Sequence, residues 1–345
     1  MKNFKATMIA LVLGSAVLSL TGCEKNEGSA YGKAVLFHCA SGSNGTKAAY
    51  SGVVTSNVER IDWEENDLIR IYCAEASEPT PNKYADYRVK SGSVTTSGSI
   101  SNATIEKNGT DELCWGTNEP HNFYAVYPSP ATSGSWVSDI SGKTVTGTVK
   151  AAQNGDGRFS DGMVLVAKNT VTDPTAFDKD AVFLEFEPIT TAIKFSVKNG
   201  MEAPLTLKKV ELVSESHALS GDYYYDIDLK TSTDKEGGIK DEERKVYFSS
   251  TAALDKDDVD PYVFTFFLRP GDNFDDLSIV ITDNHDVTYT SKLKTAGGYY
   301  TFNKGSKTVI TGIVIEKVLN LLNFASLGAG ADIRTNGTVS EEILF

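Results

Sequence analysis

Long apolar runs, histidine, cysteine, basic charge and helical periodicity are all scarce in this chain, and each scarcity excludes something. The one long uncharged apolar run, Ala6 to Leu20, is too short to hold a permanent helix across about 30 Å of hydrocarbon. The 33 Lys+Arg are outnumbered by 46 Asp+Glu, a net charge of −13 that leaves no basic stripe to meet nucleic-acid phosphates. Four histidines, His38, His121, His217 and His285, stand far apart and outside any His-Glu-x-x-His spacing. Four cysteines in 345 residues are too few for a disulfide scaffold. There is no Gly-x-Ser-x-Gly elbow and no Gly-x-x-x-x-Gly-Lys-Ser/Thr phosphate loop. Helical periodicity is limited to a weak stripe, Leu319, Leu322, Asn323 and Ser326, in Val318 to Leu327. No catalytic residue, metal site or cofactor is expected, so the chain is not read as an enzyme.

What is present starts at the N-terminus. Met1 to Lys5 is basic, Ala6 to Leu20 is apolar, and Leu20-Thr21-Gly22-Cys23 follows. This order predicts a secretory signal peptide over residues 1–22. Leu-Thr-Gly-Cys closely resembles the bacterial lipobox, which implies lipidation of Cys23 and an anchor in the outer membrane at the cell surface. Acyl chains, at about 0.8 kcal/mol per buried CH₂, hold a protein on a bilayer without a spanning helix. Residues 23–32 are polar and small, as a tether requires.

Beyond the tether the apolar pattern has period 2. Val35, Phe37 and Cys39 alternate, as do Ile69, Ile71 and Cys73, and Tyr262 to Leu268 is β-branched and aromatic. Turn residues punctuate the runs, as at Asn199-Gly200, Asp156-Gly157 and Asp283-Asn284-His285-Asp286. Short strands with such punctuation predict an all-β protein of antiparallel sandwiches. The polar stretch Asn169 to Lys179, with Pro174, places a junction near 175 and two domains, 33–175 and 176–345. Apolar residues at 40% and aromatics at 10% suffice for both cores.

Candidate chemistry is thin. Asn154 to Arg158 lacks the carboxylates of a calcium loop, and Asp255 to Asp260 reads as a solvated acidic loop. Trp63, Trp115, Trp136, Tyr223 to Tyr225 and Tyr299-Tyr300 have the faces to stack on sugars, but core packing is the commoner use. Cys39, Cys73 and Cys114 sit in strand-like apolar contexts and read as buried free thiols. A hydrolase on a β-sandwich needs two carboxylates that meet only in the fold.

Four segments, in order, carry a resemblance. They are Trp63 to Tyr72 (Trp, acidic, Asp, then an apolar strand), Asn122 to Pro128, Phe183 to Val197, and Phe266-Phe267-Leu268-Arg269-Pro270-Gly271. Together with the lipobox they resemble the fimbrillins of Bacteroides-like bacteria, lipoprotein-derived pilus subunits. In the first segment that family usually has Gly before Asp67, where this chain has Asn66.

The resemblance implies two transthyretin-like β-sandwiches and a structural role in a fimbrium. It implies export as a lipoprotein, proteolytic removal of the first strand and strand exchange with other pilus subunits. It also allows adhesion to a host or bacterial surface ligand. The displaced strand would be Lys33 to Ala40, with Val35, Phe37 and Cys39 on one face. Processing follows a basic residue in the family, and Lys47 and Arg60 are the candidates. The donor would be the C-terminal tail, with Val339, Ile343 and Phe345 on one face and Glu341 interrupting it. The alternative is a surface lipoprotein that binds glycans and does not polymerise.

Overall fold

The structure is a computed structural model that describes residues 30–41, 50–55, 58–77, 83–98, 100–155, 162–174, 181–233, 238–256, 260–270, 274–295, 298–299, 305–316, 332–335 and 339–344. Among them there is no α-helix, and the protein is all-β. The weak stripe at 318–327 lies outside the described residues.

The first strands are β1 (Phe37–Ser41), β2 (Tyr50–Thr55), β3 (Val58–Ile61), β4 (Leu68–Tyr72), β5 (Tyr84–Val89), β6 (Thr95–Ser97) and β7 (Ile100–Lys107). Then come β8 (His121–Tyr127), β9 (Val137–Ser141), β10 (Thr144–Val149), β11 (Leu165–Val171) and β12 (Val182–Pro188). One sheet runs β1-β12-β11-β8-β4-β5-β7-β6, and β1 also pairs with β7. The sheet therefore closes on itself, and β1 is the strand that closes it. Strands β4, β5 and β7 alternate buried positions with half-buried or exposed ones, the signature of a strand with one face on a core. The buried face carries Ile69, Ile71, Tyr87, Val89, Ala103 and Ile105 into the first core cluster.

Two local features explain how the sequence builds this sheet. Asn66 has a φ of 70°, in the left-handed region where Gly and then Asn are least strained. Asn thus serves where the family usually has Gly. Next to it, the Asp67 carboxylate accepts the Glu64 N–H at 2.8 Å, which fixes the turn into β4. On the outer face, Arg70 donates two hydrogen bonds to Asp86 across β4 and β5, at 2.9 and 2.8 Å. Its guanidinium also stacks on Tyr84.

The remaining strands are β13 (Thr191–Asn199), β14 (Leu205–Val213), β15 (Gly221–Asp226), β16 (Thr231–Thr233), β17 (Lys245–Ser249), β18 (Ala253–Leu254), β19 (Tyr262–Leu268) and β20 (Ser278–Asp283). They continue with β21 (Thr288–Lys292), β22 (Lys294–Thr295), β23 (Gly298–Tyr299), β24 (Ser306–Glu316), β25 (Asp332–Thr335) and β26 (Val339–Leu344). One layer is the antiparallel run β17-β14-β20-β21. The other centres on β13, antiparallel to β19 and parallel to β24. Phe195, Leu212, Phe264, Phe266, Ile279 and Ile313 pack in the second core cluster between them. The expected turn at 283–286 is present: Asp283 Oδ1 accepts the N–H groups of His285 and Val287. The outer edge of β19 is covered by the segment after β10, where Gly155 O accepts Thr265 N–H and the Gln153 amide pairs with both backbone groups of Phe267.

A small sheet, β16-β15-β10-β9, joins strands from both halves of the sequence. Thr144 to Val149 runs antiparallel to Asp226 to Gly221. Tyr223 and Tyr225 enter the first core from β15. In β10, a Cβ on Gly147 would collide with the Trp136 carbonyl oxygen and the Tyr223 hydroxyl. Gly147→Ala is expected to cost about 2–4 kcal/mol. Urea denaturation checks it, and an unchanged midpoint would contradict the packing.

Candidate functional site

The site is the slot that β1 fills. On one side β1 runs parallel to β12, with Phe37 opposite Val182 and Cys39 opposite Leu184. On the other it runs antiparallel to β7, with Phe37 opposite Ile105 and Cys39 opposite Ala103. Val35, Phe37 and Cys39 are buried, as their alternation predicts. The Phe37 ring meets Tyr87 edge-on at 5.1 Å and Phe123 at 5.3 Å. The Cys39 thiol donates to Ala103 O at 3.6 Å, and burial pushes its pKa well up. Between the buried residues, Leu36 and His38 face solvent, and the His38 ring meets Thr104 Oγ1 at 3.1 Å.

The chain enters the slot along a second line of bonds. Gly32 N–H donates to Trp115 O, Trp115 N–H to Lys33 O, and Val35 N–H to Leu113 O. The strand itself spans Phe37–Ser41 where Lys33 to Ala40 is expected, because residues 32–35 pair with 113–115 before β1 reaches β12. On the chain's exit from β1, Lys47 lies outside the described residues, as does Cys23. Arg60 lies within β3, which pairs with β2.

The tail is placed on its own chain. Strand β26 runs antiparallel to β24, with Val339 opposite Ile310 and Ile343 opposite Lys307. Phe345 lies outside the described residues. Strand β25 continues the cover, with Ile333 opposite Ile315.

Other candidates are disposed of by burial. Trp63, Trp115, Trp136, Tyr223 and Tyr225 are buried core residues and Tyr224 is exposed, while Tyr300 and the side chain of Tyr299 lie outside what is described. Trp63 meets Tyr127 and Phe186 edge-on, and Trp115 meets Phe123 the same way. Cys39 and Cys73 are buried and free, and burial pushes the Cys73 thiol up to about 12. Cys114 departs from the expected free thiol: it is buried and disulfide-bonded. His121 is fully buried and accepts the Gly116 N–H at Nε2; burial holds its pKa below the ordinary range and the ring neutral.

Sequence reading missed one cluster, His217, Asp275 and Asp276, whose ligand atoms lie close enough for a cation. Some 58 residues separate the histidine from Asp275, so spacing gave no signal. Asp276 already accepts from Ser214 Oγ, Ser216 N and Oγ, and Glu215 N. Burial pushes its pKa up, but these bonds outweigh it and hold the carboxylate below its ordinary range.

Fold and site together define an all-β protein in which one N-terminal strand closes a sheet. A fimbrillin-like family profile matches residues 48–326, and the chain belongs to that family. A solved candidate cell adhesion protein from Bacteroides ovatus shares 18% identity over 92% of this chain and 99% of its own, with a TM-score of 0.54. Another, from Bacteroides uniformis, shares 14% over 88% of this chain and 97% of its own, at 0.49. The tip fimbrial protein Mfa3 of Porphyromonas gingivalis, C-terminally truncated, shares 12% over 83% and 96%, at 0.40. No curated protein matches.

Proposed function

We propose that this chain is a structural subunit of a surface fimbrium, exported as a lipoprotein and assembled by strand exchange with other subunits. The observation that carries it is the double pairing of β1. Removing β1 would unpair β7 and β12 at once and expose the contacts of Phe37 and Cys39. Such a slot binds an extended strand through main-chain hydrogen bonds and side-chain pockets. A head-to-tail contact of this kind does not close, and it builds a fibre.

Two units divide best after β12, near residue 189, rather than near 175. Val182, Leu184 and Phe186 belong to the first core, while Ile193, Phe195 and Val197 of the next strand belong to the second. The C-terminal tail is the donor, with adhesion to a surface ligand as the fibre's use. Of the two processing candidates, Arg60 is the less accessible to a protease, because it lies within β3 and that strand pairs with β2.

The test is limited cleavage of the mature chain, residues 23–345, followed by intact mass and a non-boiled gel. Inserting a site-specific protease sequence after Ser43 cuts the chain between β1 and β2 without touching Lys317 or Arg334. Release of the N-terminal piece and a heat-sensitive ladder is the expected result. A cut protein that stays monomeric favours the rival reading, a non-polymerising glycan-binding lipoprotein. The pairing of β26 with its own β24 is the observation on that side.

A further inference from the structure

In an asparagine followed by glycine, the side-chain amide and the next backbone nitrogen react readily, because glycine has no Cβ to block the approach. Three such pairs lie among the described residues: Asn108-Gly109, Asn154-Gly155 and Asn199-Gly200. The first and last share one local sequence, Lys-Asn-Gly, so only the fold sets them apart. Asn199 is 5% exposed; its side-chain nitrogen donates to Ala203 O and Leu254 O, and its Oδ1 accepts the Met201 N–H. The Gly200 N–H donates to Ile315 O, so both reacting groups are held. At the middle pair Gly155 is buried, with the Phe248 ring against the position a Cβ would take.

Asn108-Gly109 is open. Both residues are exposed, just after β7. The Asn108 N–H donates to Asp86 O at 2.8 Å, which fixes the backbone on that side. Beyond it, no group among the described residues bonds the Asn108 side-chain amide or the Gly109 N–H. Gly109 has a φ of 94°, and nothing lies within 4 Å of where a Cβ would stand. We propose that Asn108 is a site of spontaneous deamidation in the folded protein. The Gly109 nitrogen attacks Asn108 Cγ, its proton passes to Nδ2, and the Cγ–Nδ2 bond breaks to release ammonia. The product is a cyclic imide, which water opens by breaking one of the two ring bonds to nitrogen. Breaking the bond to Cγ gives aspartate; breaking the bond to the main-chain carbonyl carbon gives isoaspartate. No oxidant or reductant takes part.

The position gives the change a consequence. Residues 108–112 join β7 to Leu113 and Trp115. Strand β7 pairs with β1, while Leu113 O accepts the Val35 N–H, Trp115 O the Gly32 N–H, and Lys33 O the Trp115 N–H. One connection therefore spaces the two lines of bonds that seat the N-terminal segment. Isoaspartate routes the main chain through Cγ and adds a methylene to that connection. It also adds a carboxylate to a stretch that already carries Asp111 and Glu112. Aged protein should hold residues 32–35 less firmly than fresh protein. The chemistry needs neither cleavage nor strand exchange, so it stands apart from the assembly reading.

The experiment ages the uncut, unsubstituted mature chain in mildly alkaline buffer and maps its peptides by mass. Mapping by peptide keeps the result apart from Asn44-Gly45 and Asn336-Gly337, which lie outside the described residues. The Asn108 peptide is expected to give two acidic products of equal mass that chromatography separates. The Asn199 peptide is expected to react at least about tenfold more slowly, since it must wait for local opening. In the urea-unfolded chain the two should react alike. An Asn108 that stays intact in the folded chain, or reacts there no faster than Asn199, overturns the inference. Amide exchange at Gly32, Val35 and Trp115 is expected to be faster in aged protein than in equally aged Asn108→Ser. Equal exchange overturns the link to the N-terminal segment.

Discussion

Phe37→Ala is expected to destabilise the uncut subunit by about 3–5 kcal/mol and to leave the cut, assembled fibre unchanged. The ring is 2% exposed and is held between Tyr87 and Phe123. Its removal leaves a cavity at the seam where the sheet closes, and neither β7 nor β12 can collapse into it while β1 keeps both paired. Against a typical stability of about 5–15 kcal/mol, that loss is a large fraction. His38→Ala, on the solvent face of the same strand, should change stability by no more than about 0.5 kcal/mol. Urea midpoints of the two uncut variants check the contrast. If β1 is displaced on assembly, residue 37 is gone from the fibre, and the heat sensitivity of the ladder should match that of the unsubstituted protein. A ladder weakened by Phe37→Ala would mean that β1 stays in place.

Ending the chain after Ile315 is the second change with a large expected effect. Ile310, Ile313 and Ile315 remain, so the second core keeps its β24 contribution. The tail strands β25 and β26, and the segment between them and β24, are lost. Cleavage should still release the N-terminal piece, but the ladder should vanish entirely. Mixing this chain with the full-length protein should cap fibres, because its slot accepts a strand and it has none to give. Shorter ladders with rising dose are the readout. Unaltered ladders from the truncated chain alone would place the donor elsewhere in the molecule.

Much of this was legible in the sequence. Period 2 marked the strands, and the alternation of Val35, Phe37 and Cys39 gave the inward face of β1, because successive strand side chains point to opposite sides. Closure was not legible. Periodicity says which residues are buried but not which strand lies alongside, so the parallel pairing of Phe37 with Val182 left no local trace. For the same reason Val182 to Phe186 read as the start of the second unit, although those residues complete the first core. The β10–β15 pairing is equally hidden, since Val149 and Gly221 meet from distant parts of the chain. Trp63, Trp115 and Trp136 were open to two readings, and burial decided for packing. Asn66 stands where the family usually has Gly because the position has a positive φ, which Asn tolerates next after Gly.

The central claim is that β1 is an exchangeable strand whose two neighbours are re-paired in the fibre. Amide hydrogen exchange at β7 and β12 tests it most directly, in the uncut subunit, in the cut monomer freed of its N-terminal piece, and in the isolated ladder. The expected order is protected, exposed, protected again, with β13 and β14 protected throughout. Amides of β7 and β12 that stay protected in the cut monomer, or stay exposed in the ladder, would contradict it.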